Sequence, residues 1–189
     1  MDEGSGAPVV FVVDDDDQVR DLYETWLQGE YDVRTSDRGA EALEMIDHTA
    51  DVVLLDRRMP DMPGDVVLDE IRERGLDCRV VMLTAVDPDV EIIEMAFDDY
   101  VTKPVSEDEI RRTVETMIAR SNYGDLLQEY FAVASKRATL ETELTAEELS
   151  ESDEYDQLVD RAEALRTELD DLLSDLTRYD DFDLAFTDI

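Results

Sequence analysis

The sequence predicts an α/β protein: a five-stranded, doubly wound parallel sheet followed by an α-helical hairpin. Short apolar runs alternate with helical patterns over residues 8–104, which indicates a parallel sheet with helices on both faces. The runs VVFVV, VVLL and VVML are apolar without alternation, as expected for strands buried on both faces. Residues 121–189 carry apolar residues at heptad spacing and no strand pattern, which predicts long helices.

The first two thirds of the chain contain the predicted strands and most of the predicted helices. The strands are expected at residues 9–13, 31–35, 52–55, 80–83 and 100–102. The helices are expected at residues 18–29, 39–47, 64–74 and 89–97, and a further helix begins at Ser106. Ser106 and Glu109 form a capping-box pattern, in which each side chain accepts a hydrogen bond from a free amide at the helix start.

Two long helices are predicted in the last third. The second has an unbroken apolar seam with alternating spacings of three and four residues, at Tyr155, Leu158, Ala162, Leu165, Leu169, Leu172, Leu176 and Tyr179. The first repeats this spacing over residues 123–144, with one polar break at Arg137. Cap patterns separate the two, at Thr145 with Glu148 and at Ser150 with Asp153. A short turn predicts an antiparallel hairpin, which either covers its own seam or offers a coiled coil for dimerisation or partner binding.

The chain is strongly acidic throughout. It holds 52 acidic and 17 basic residues, a net charge of −35, yet 43% of its residues are apolar. The apolar residues fall in patterned runs, so the composition does not indicate disorder. A folded chain with this charge repels itself at low ionic strength, and salt with a Debye length of about 3 Å at 1 M removes most of that repulsion. We therefore expect a protein adapted to a high-salt cytoplasm.

Secretion and membrane insertion are not expected. The segment MDEGSGAP has no basic stretch and no apolar core of a signal peptide. No apolar run approaches the ~20 residues that a membrane span needs. The single cysteine, Cys78, fits a reducing cytosol, and its place at the start of the run CRVVML predicts a buried thiol. These features predict a cytoplasmic location.

Unusual polar residues follow the predicted strands at their carboxyl ends, at Asp14, Asp15, Asp56, Thr84 and Lys103. Ligands of such sheets bind beyond the carboxyl ends of the strands, so we expect these side chains to meet. Three carboxylates at short range cannot all stay ionised unaided, and a hard cation such as Mg²⁺ would relieve their repulsion. A lysine and a hydroxyl beside them suit phosphoryl transfer, in which a carboxylate can itself be the nucleophile.

With these residues in place, the chain resembles the receiver domain of two-component response regulators, a flavodoxin-like fold. The matching pieces are VVDDD at 12–16, LLDRRMPDMPG at 54–64, LTA at 83–85 and DDYVTKP at 98–104. The resemblance covers residues 8–120, which we assign as the receiver domain. Each piece is short, but the four occur in order and each lies at a strand end.

The resemblance implies a role for each site residue. Asp56 is the expected phosphoacceptor, and Asp14 and Asp15 are the acid pair that holds Mg²⁺, together with Asp56 and the backbone carbonyl of Arg58. Thr84 is expected to bond the phosphoryl group and to shift toward it. Lys103 is expected to pair with a phosphoryl oxygen, and the peptide bond after it to be cis. Tyr100 is the expected aromatic switch. Asp16 and Asp17 match no ligand position and fit the start of the first helix.

One departure concerns the segment between Thr84 and Lys103, which are 19 positions apart. The family has roughly one helical turn more there, ~3.6 residues. The fourth helix is therefore expected to be short, and because it belongs to the family's usual output face, this shortening affects how the signal is passed on.

Residues 121–189 resemble the HalX domain of halophilic archaea, and the stretch YFAVASKRATLE at 130–141 carries the likeness. These residues hold 20 acidic and 5 basic side chains, a net charge of −15. DNA binding draws most of its affinity from neutralising phosphates, so nucleic-acid binding is not expected. Gly124 lies near the start of this region, where it either breaks the helix that begins at Ser106 or is carried within it.

The sequence thus predicts a response regulator, phosphorylated on Asp56 by a sensor histidine kinase, with no turnover of a metabolite. Its output partner is not named by any motif. One alternative is a transcriptional regulator whose C-terminal helices contact DNA or the transcription machinery. Another is a scaffold that has the fold without phosphorylation. The Leu-rich seam also predicts a homodimer built through residues 123–179.

Overall fold

The computed structural model describes residues 6–85 and 95–184, with side chains through residue 177. The chain divides into two compact units at Ile118 and Ala119. The first unit holds a five-stranded sheet, and the described part of the second is helical.

All five strands of the sheet are parallel, in the order β2-β1-β3-β4-β5. They are β1 (Val9–Val13), β2 (Asp32–Ser36), β3 (Val52–Leu55), β4 (Arg79–Thr84) and β5 (Asp99–Thr102). Every residue of β1 and β3 is buried, because each of these strands has a neighbour on both sides and helices over both faces. The predicted strands are therefore confirmed, with shifts of one residue at the ends of β2, β4 and β5.

Helices cover the two faces of the sheet. They are α1 (Asp17–Leu27), α2 (Gly39–Met45), α3 (Gly64–Glu73) and the start of α4 (Glu107–Glu143). Residues of α2 and α3 pack with Phe11 and Val53 on one face. Residues of α1 and α4 pack with Val12 and Leu54 on the other. The sheet is doubly wound, as the alternating sequence pattern predicts. Cys78 is buried in the same cluster as Phe11 and Val53, as expected, and burial raises the pKa of its thiol.

Side-chain caps occur at two helix starts of this unit, and the one at Ser106 is the predicted capping box. The carboxylate of Asp16 accepts hydrogen bonds from the backbone amides of Gln18 and Val19, and Asp17 opens α1. At α4, the amide of Glu109 donates to the hydroxyl of Ser106, and the amide of Ser106 donates to the Glu109 carboxylate. The helix expected at 89–97 lies largely outside the described residues, and residues 95–97 are not helical.

The second unit contains most of α4, then α5 (Ala146–Ser150) and α6 (Asp153–Leu184). Helix α4 continues through Gly124 without a break, since a single glycine costs only ~1 kcal/mol in a helix of this length. Thr145 and Glu148 form the predicted capping box at α5. The cap of α6 is Ser152 rather than Ser150: the Ser152 hydroxyl accepts from the amide of Tyr155.

Part of the apolar seam of the second unit is covered within the chain. Val133 of α4 packs in one buried cluster with Ala162 and Leu165 of α6. Leu165 is fully buried and Leu169 is nearly so. These buried positions favour a hairpin that covers the middle of its own seam, which is one of the two alternatives that the heptads leave open, whereas Leu172 and Leu176 are only partly buried. The homodimer itself stays a prediction.

Candidate functional site

The polar residues that follow the strands meet at one edge of the sheet. Val13 pairs with Leu55 in the β1–β3 register, so Asp14 and Asp56 leave adjacent strands at the same level. Thr84 pairs with Thr102 in the β4–β5 register, and Lys103 follows directly. This edge lies beside the point where the strand order reverses, between β1 and β3, which is where such sheets bind ligands.

Lys103 joins the two carboxylates that the sequence predicts. Its ammonium donates to Oδ1 of Asp56 at 2.8 Å and to Oδ2 of Asp14. Asp14 and Asp56 are 3% and 7% exposed, and the Lys103 side chain is 16% exposed. Three charged groups are thus withdrawn from water. In this buried setting the attraction between Lys103 and the two carboxylates is stronger than it would be at the surface.

Burial and charge act in opposite directions at this site. Desolvation raises the pKa of Asp56, and the hydrogen bond and charge of Lys103 only partly offset that rise. For Lys103, desolvation alone would lower the pKa, but the hydrogen bonds from its ammonium to Asp14 and Asp56 outweigh it and raise the pKa. Lys103 is therefore a cation at neutral pH, and burial makes the protonated form of Asp56 more favourable than it is in water.

Backbone contacts fix both aspartates. The amide of Asp14 donates to the carbonyl of Ser36 at 3.2 Å, and the amide of Asp56 donates to that of Val13 at 2.8 Å. The amide of Arg58 donates to Oδ2 of Asp56 at 2.7 Å. Each Asp56 oxygen thus has its own partner, Lys103 on one side and the chain after the strand on the other.

Two further residues, neither of them predicted from the sequence, support the site. The Arg20 guanidinium donates to the carbonyl of Asp14 at 2.5 Å and to the carboxylate of Asp17. Gly64, at the start of α3, lies against the chain that follows β3, and a Cβ there would collide with the carbonyl oxygen of Asp56. The motif at 54–64 contains Gly64, but only the packed backbone shows why a side chain is excluded.

Thr84 and Tyr100 lie on the last two strands of the sheet, β4 and β5. Thr84 is buried at the end of β4, and its carbonyl accepts from the amide of Lys103 at 2.8 Å. Tyr100 is partly buried on β5, with its ring centroid 5.7 Å from that of Phe97. The Lys103–Pro104 peptide bond is cis, as expected.

The predicted metal ligands are brought together only in part. Asp15 is exposed, and among the described residues no three acidic, histidine or cysteine side chains form a group that could hold a metal. The buried carboxylates of Asp14 and Asp56 share the Lys103 ammonium, and the backbone of Arg58 lies beside Asp56. Mg²⁺ is usually held by one or two carboxylates, and phosphate oxygens and water complete its coordination shell, so this donor set fits the ion.

Within residues 6–85 and 95–184, none of the helices has the length and apolar character of a membrane span.

Comparisons with known proteins agree with this geometry. Residues 10–115 match the response regulator receiver domain family, and residues 119–186 match the HalX domain. A Haloferax volcanii protein provisionally named a transcriptional regulator is 53% identical over 161 residues, which are 85% of this chain and 28% of that protein. The response regulator SaeR of Staphylococcus aureus is 30% identical over 115 residues, 59% of this chain and 50% of SaeR.

Among solved structures, the response regulator TrrA of Thermotoga maritima in complex with Mg²⁺ and beryllium fluoride is 34% identical, with a TM-score of 0.51. The match covers 58% of this chain and 97% of TrrA. This chain spans about a quarter to a half of the length of the two curated relatives, so their whole activities are not carried over with the match.

Proposed function

This chain belongs to the response regulator receiver family and carries a HalX domain, and from that premise we propose that it accepts a phosphoryl group on Asp56. The donor is a sensor histidine kinase, and the phosphorylated receiver signals through the C-terminal helices. The observation that carries the proposal is the buried arrangement of Asp14, Lys103 and Asp56 at the switch point of the sheet.

In this proposal Asp56 is the nucleophile. A carboxylate oxygen of Asp56 attacks the phosphorus, the bond from phosphorus to the donor nitrogen breaks, and an acyl phosphate forms. Lys103 stabilises a phosphoryl oxygen as negative charge is redistributed, because its ammonium already lies 2.8 Å from Asp56. The Thr84 hydroxyl then moves toward the phosphoryl group and bonds it, and the Tyr100 side chain turns inward in response. Phosphorylation and its reversal are catalysed by the receiver itself.

A divalent cation completes the proposed site. Asp14, Asp15, Asp56 and the carbonyl of Arg58 would hold Mg²⁺, which would neutralise charge on the phosphoryl oxygens during transfer. The withdrawal of Asp14 and Asp56 from water supports this role, since two buried carboxylates favour a shared cation. The TrrA structure, solved with Mg²⁺ in a receiver of the same fold, supports the choice of metal.

The test uses the full chain in molar KCl with acetyl phosphate and Mg²⁺, followed by intact mass measurement. We expect the addition of one phosphoryl group, its loss in Asp56→Asn, and its retention in Asp61→Asn, which changes an exposed carboxylate in the same loop. A wild-type chain that gains no mass at any salt concentration would favour the scaffold alternative.

A transcriptional role is the second candidate, and the name of the Haloferax volcanii relative favours it. The net charge of −15 over residues 121–189 points to contact with a protein of the transcription machinery rather than with DNA. Gel-shift titrations over a range of KCl concentrations separate the two: binding that weakens as salt rises would indicate direct DNA contact.

A further inference from the structure

A cavity of about 550 Å³ lies at the turn of the C-terminal hairpin. Its lining is mostly apolar and comes from the end of α4, from α5 and from the start of α6, at Leu140, Leu144, Leu149, Tyr155 and Leu158. Cavities of roughly 300–1,000 Å³ with a mainly apolar lining and a few polar groups are typical of small-molecule sites. The phosphorylation site contributes no residue to it.

The polar groups around this cavity are already engaged within the chain, with one exception. The Tyr155 hydroxyl donates to the Glu141 carboxylate at 2.8 Å, and the Ser152 hydroxyl donates to the Glu154 carboxylate at 3.1 Å. The Thr139 hydroxyl donates to a backbone carbonyl of its own helix at 3.0 Å. The hydrogen-bond donors of these three hydroxyl groups are therefore already satisfied within the chain.

Lys136 is the exception. It lines the cavity, its side chain is exposed, and it takes part in no ion pair among the described residues. The neighbouring Arg137 is paired with Glu141 at 2.7 Å, and Arg161 with Glu129 at 2.8 Å. A lysine can lay its aliphatic stem along an apolar surface while its ammonium stays at the edge. The cavity thus combines an apolar interior with one uncommitted cation.

We propose that this cavity binds a small apolar monocarboxylate, with its hydrocarbon part among the leucines and its carboxylate on Lys136. We infer an anionic head because Lys136 has no partner in an ion pair among the described residues, and an apolar body because leucines line most of the cavity. Molar salt screens long-range repulsion from the acidic surface, with a Debye length of about 3 Å at 1 M, so the contact with Lys136 decides the preference for a charged head.

Calorimetric titration of the full chain with decanoate and with the uncharged 1-decanol, in molar KCl, tests this site. We expect one decanoate per chain, bound more tightly than decanol. Leu144→Glu should weaken decanoate binding about tenfold or more, whereas Leu173→Glu, an equally exposed leucine of the same unit outside the cavity, should not. Lys136→Gln should weaken decanoate binding by up to about fivefold, the upper end of the range for an exposed charge contact, and leave decanol binding unchanged.

Arg166→Gln is the matched charge control, because Arg166 is exposed in α6 and does not line the cavity. Asp56→Asn should bind decanoate as the wild type does, so the outcome is independent of phosphorylation. Three results would overturn the proposal: no saturable binding of decanoate, decanol bound as tightly as decanoate, or affinity unaffected by Leu144→Glu in a variant whose helix content matches the wild type.

Discussion

The ammonium of Lys103 lies 2.8 Å from Oδ1 of Asp56 and also contacts Asp14, on the neighbouring strand. One cation thus balances two buried carboxylates that leave β1 and β3 side by side. Desolvation of three charged groups is costly, and the attraction of Lys103 to both carboxylates is what compensates for it. Under the proposed function, this arrangement keeps Asp56 beside the cation that would assist phosphoryl transfer, and it makes the stability of the receiver depend on Lys103.

Replacing Lys103 by Gln should destabilise the receiver by about 3–5 kcal/mol, because two carboxylates then stay buried without a cation. Thermal unfolding followed by circular dichroism in molar KCl measures this, with Lys136→Gln as the exposed-lysine control. Since the pKa of Lys103 is raised in the folded state, its stabilisation is present at neutral pH and lost as the pH rises through the folded value. A Lys103→Gln variant as stable as the wild type would contradict this account.

Replacing Asp56 by Asn should increase the free energy of unfolding at neutral pH, by about 1–3 kcal/mol, the typical cost of an imperfectly compensated buried polar group. Burial raises the pKa of Asp56, so this carboxyl favours the folded state when protonated. That contribution is complete below the unfolded-state pKa and is lost as the pH rises through the folded-state pKa.

The advantage of Asp56→Asn should therefore shrink as the pH falls through the raised folded-state pKa of Asp56, and it should be lost below the unfolded-state pKa. Chemical unfolding at several pH values measures this. Asp61→Asn, at an exposed position, should follow the wild type throughout. An Asp56→Asn variant less stable than the wild type at neutral pH would show that the Lys103 contact outweighs desolvation.

Replacing Gly64 by Ala should both destabilise the receiver and slow phosphorylation. The new methyl would collide with the Asp56 carbonyl oxygen, so the chain after β3 must move, at a cost of about 1–3 kcal/mol. Gly6→Ala meets no atom within 4 Å and serves as the control. The two measurements are chemical unfolding and the rate of labelling by acetyl phosphate. An unchanged labelling rate in Gly64→Ala would show that the contact at Gly64 does not position Asp56.

Much of the fold and part of the site could be predicted from the sequence. The predicted strand Val9–Val13 ends before Asp14 in the structure too, because a strand buried on both faces must stop where charge begins. Asp14, Asp56 and Lys103 are all predictable, since a charge after a buried strand is conspicuous. The support from Arg20 is not, because its guanidinium contacts a backbone carbonyl, and such a contact leaves no side-chain pattern. Nor is the meeting of α4 with Ala162, because heptad spacing does not say which partner fills the seam.

The acidic surface makes a separate prediction about salt. A net charge of −35 opposes the compact state until counterions screen it, so the free energy of unfolding should increase steadily from dilute buffer to molar KCl. Circular dichroism during stepwise dialysis out of salt, in the presence of EDTA, follows this directly. Full retention of structure in dilute buffer without salt or divalent ions would exclude halophilic adaptation.

The seam of the C-terminal hairpin makes the last prediction. Leu165 is fully buried against Val133 within one chain, so Leu165→Asp places a carboxylate inside the hairpin. The decrease in the free energy of unfolding should exceed the roughly 2–5 kcal/mol typical of truncating a buried leucine. Helix content should fall equally at low and high protein concentration. Leu173→Asp, at a 47% exposed position of the same helix, should keep the wild-type helix content.

Association distinguishes this account from the intermolecular coiled coil that the heptads alone suggest. If the seam lay between two chains, the double variant Leu165→Asp and Leu169→Asp would give folded monomers. With the seam inside one chain, the same variant loses helix first, and any homodimer of the wild type must use side chains that remain exposed, such as Phe131 and Leu173. Light scattering in molar KCl and circular dichroism on the same samples decide between the two arrangements. Folded, fully helical monomers of the double variant would show that the seam lies between two chains.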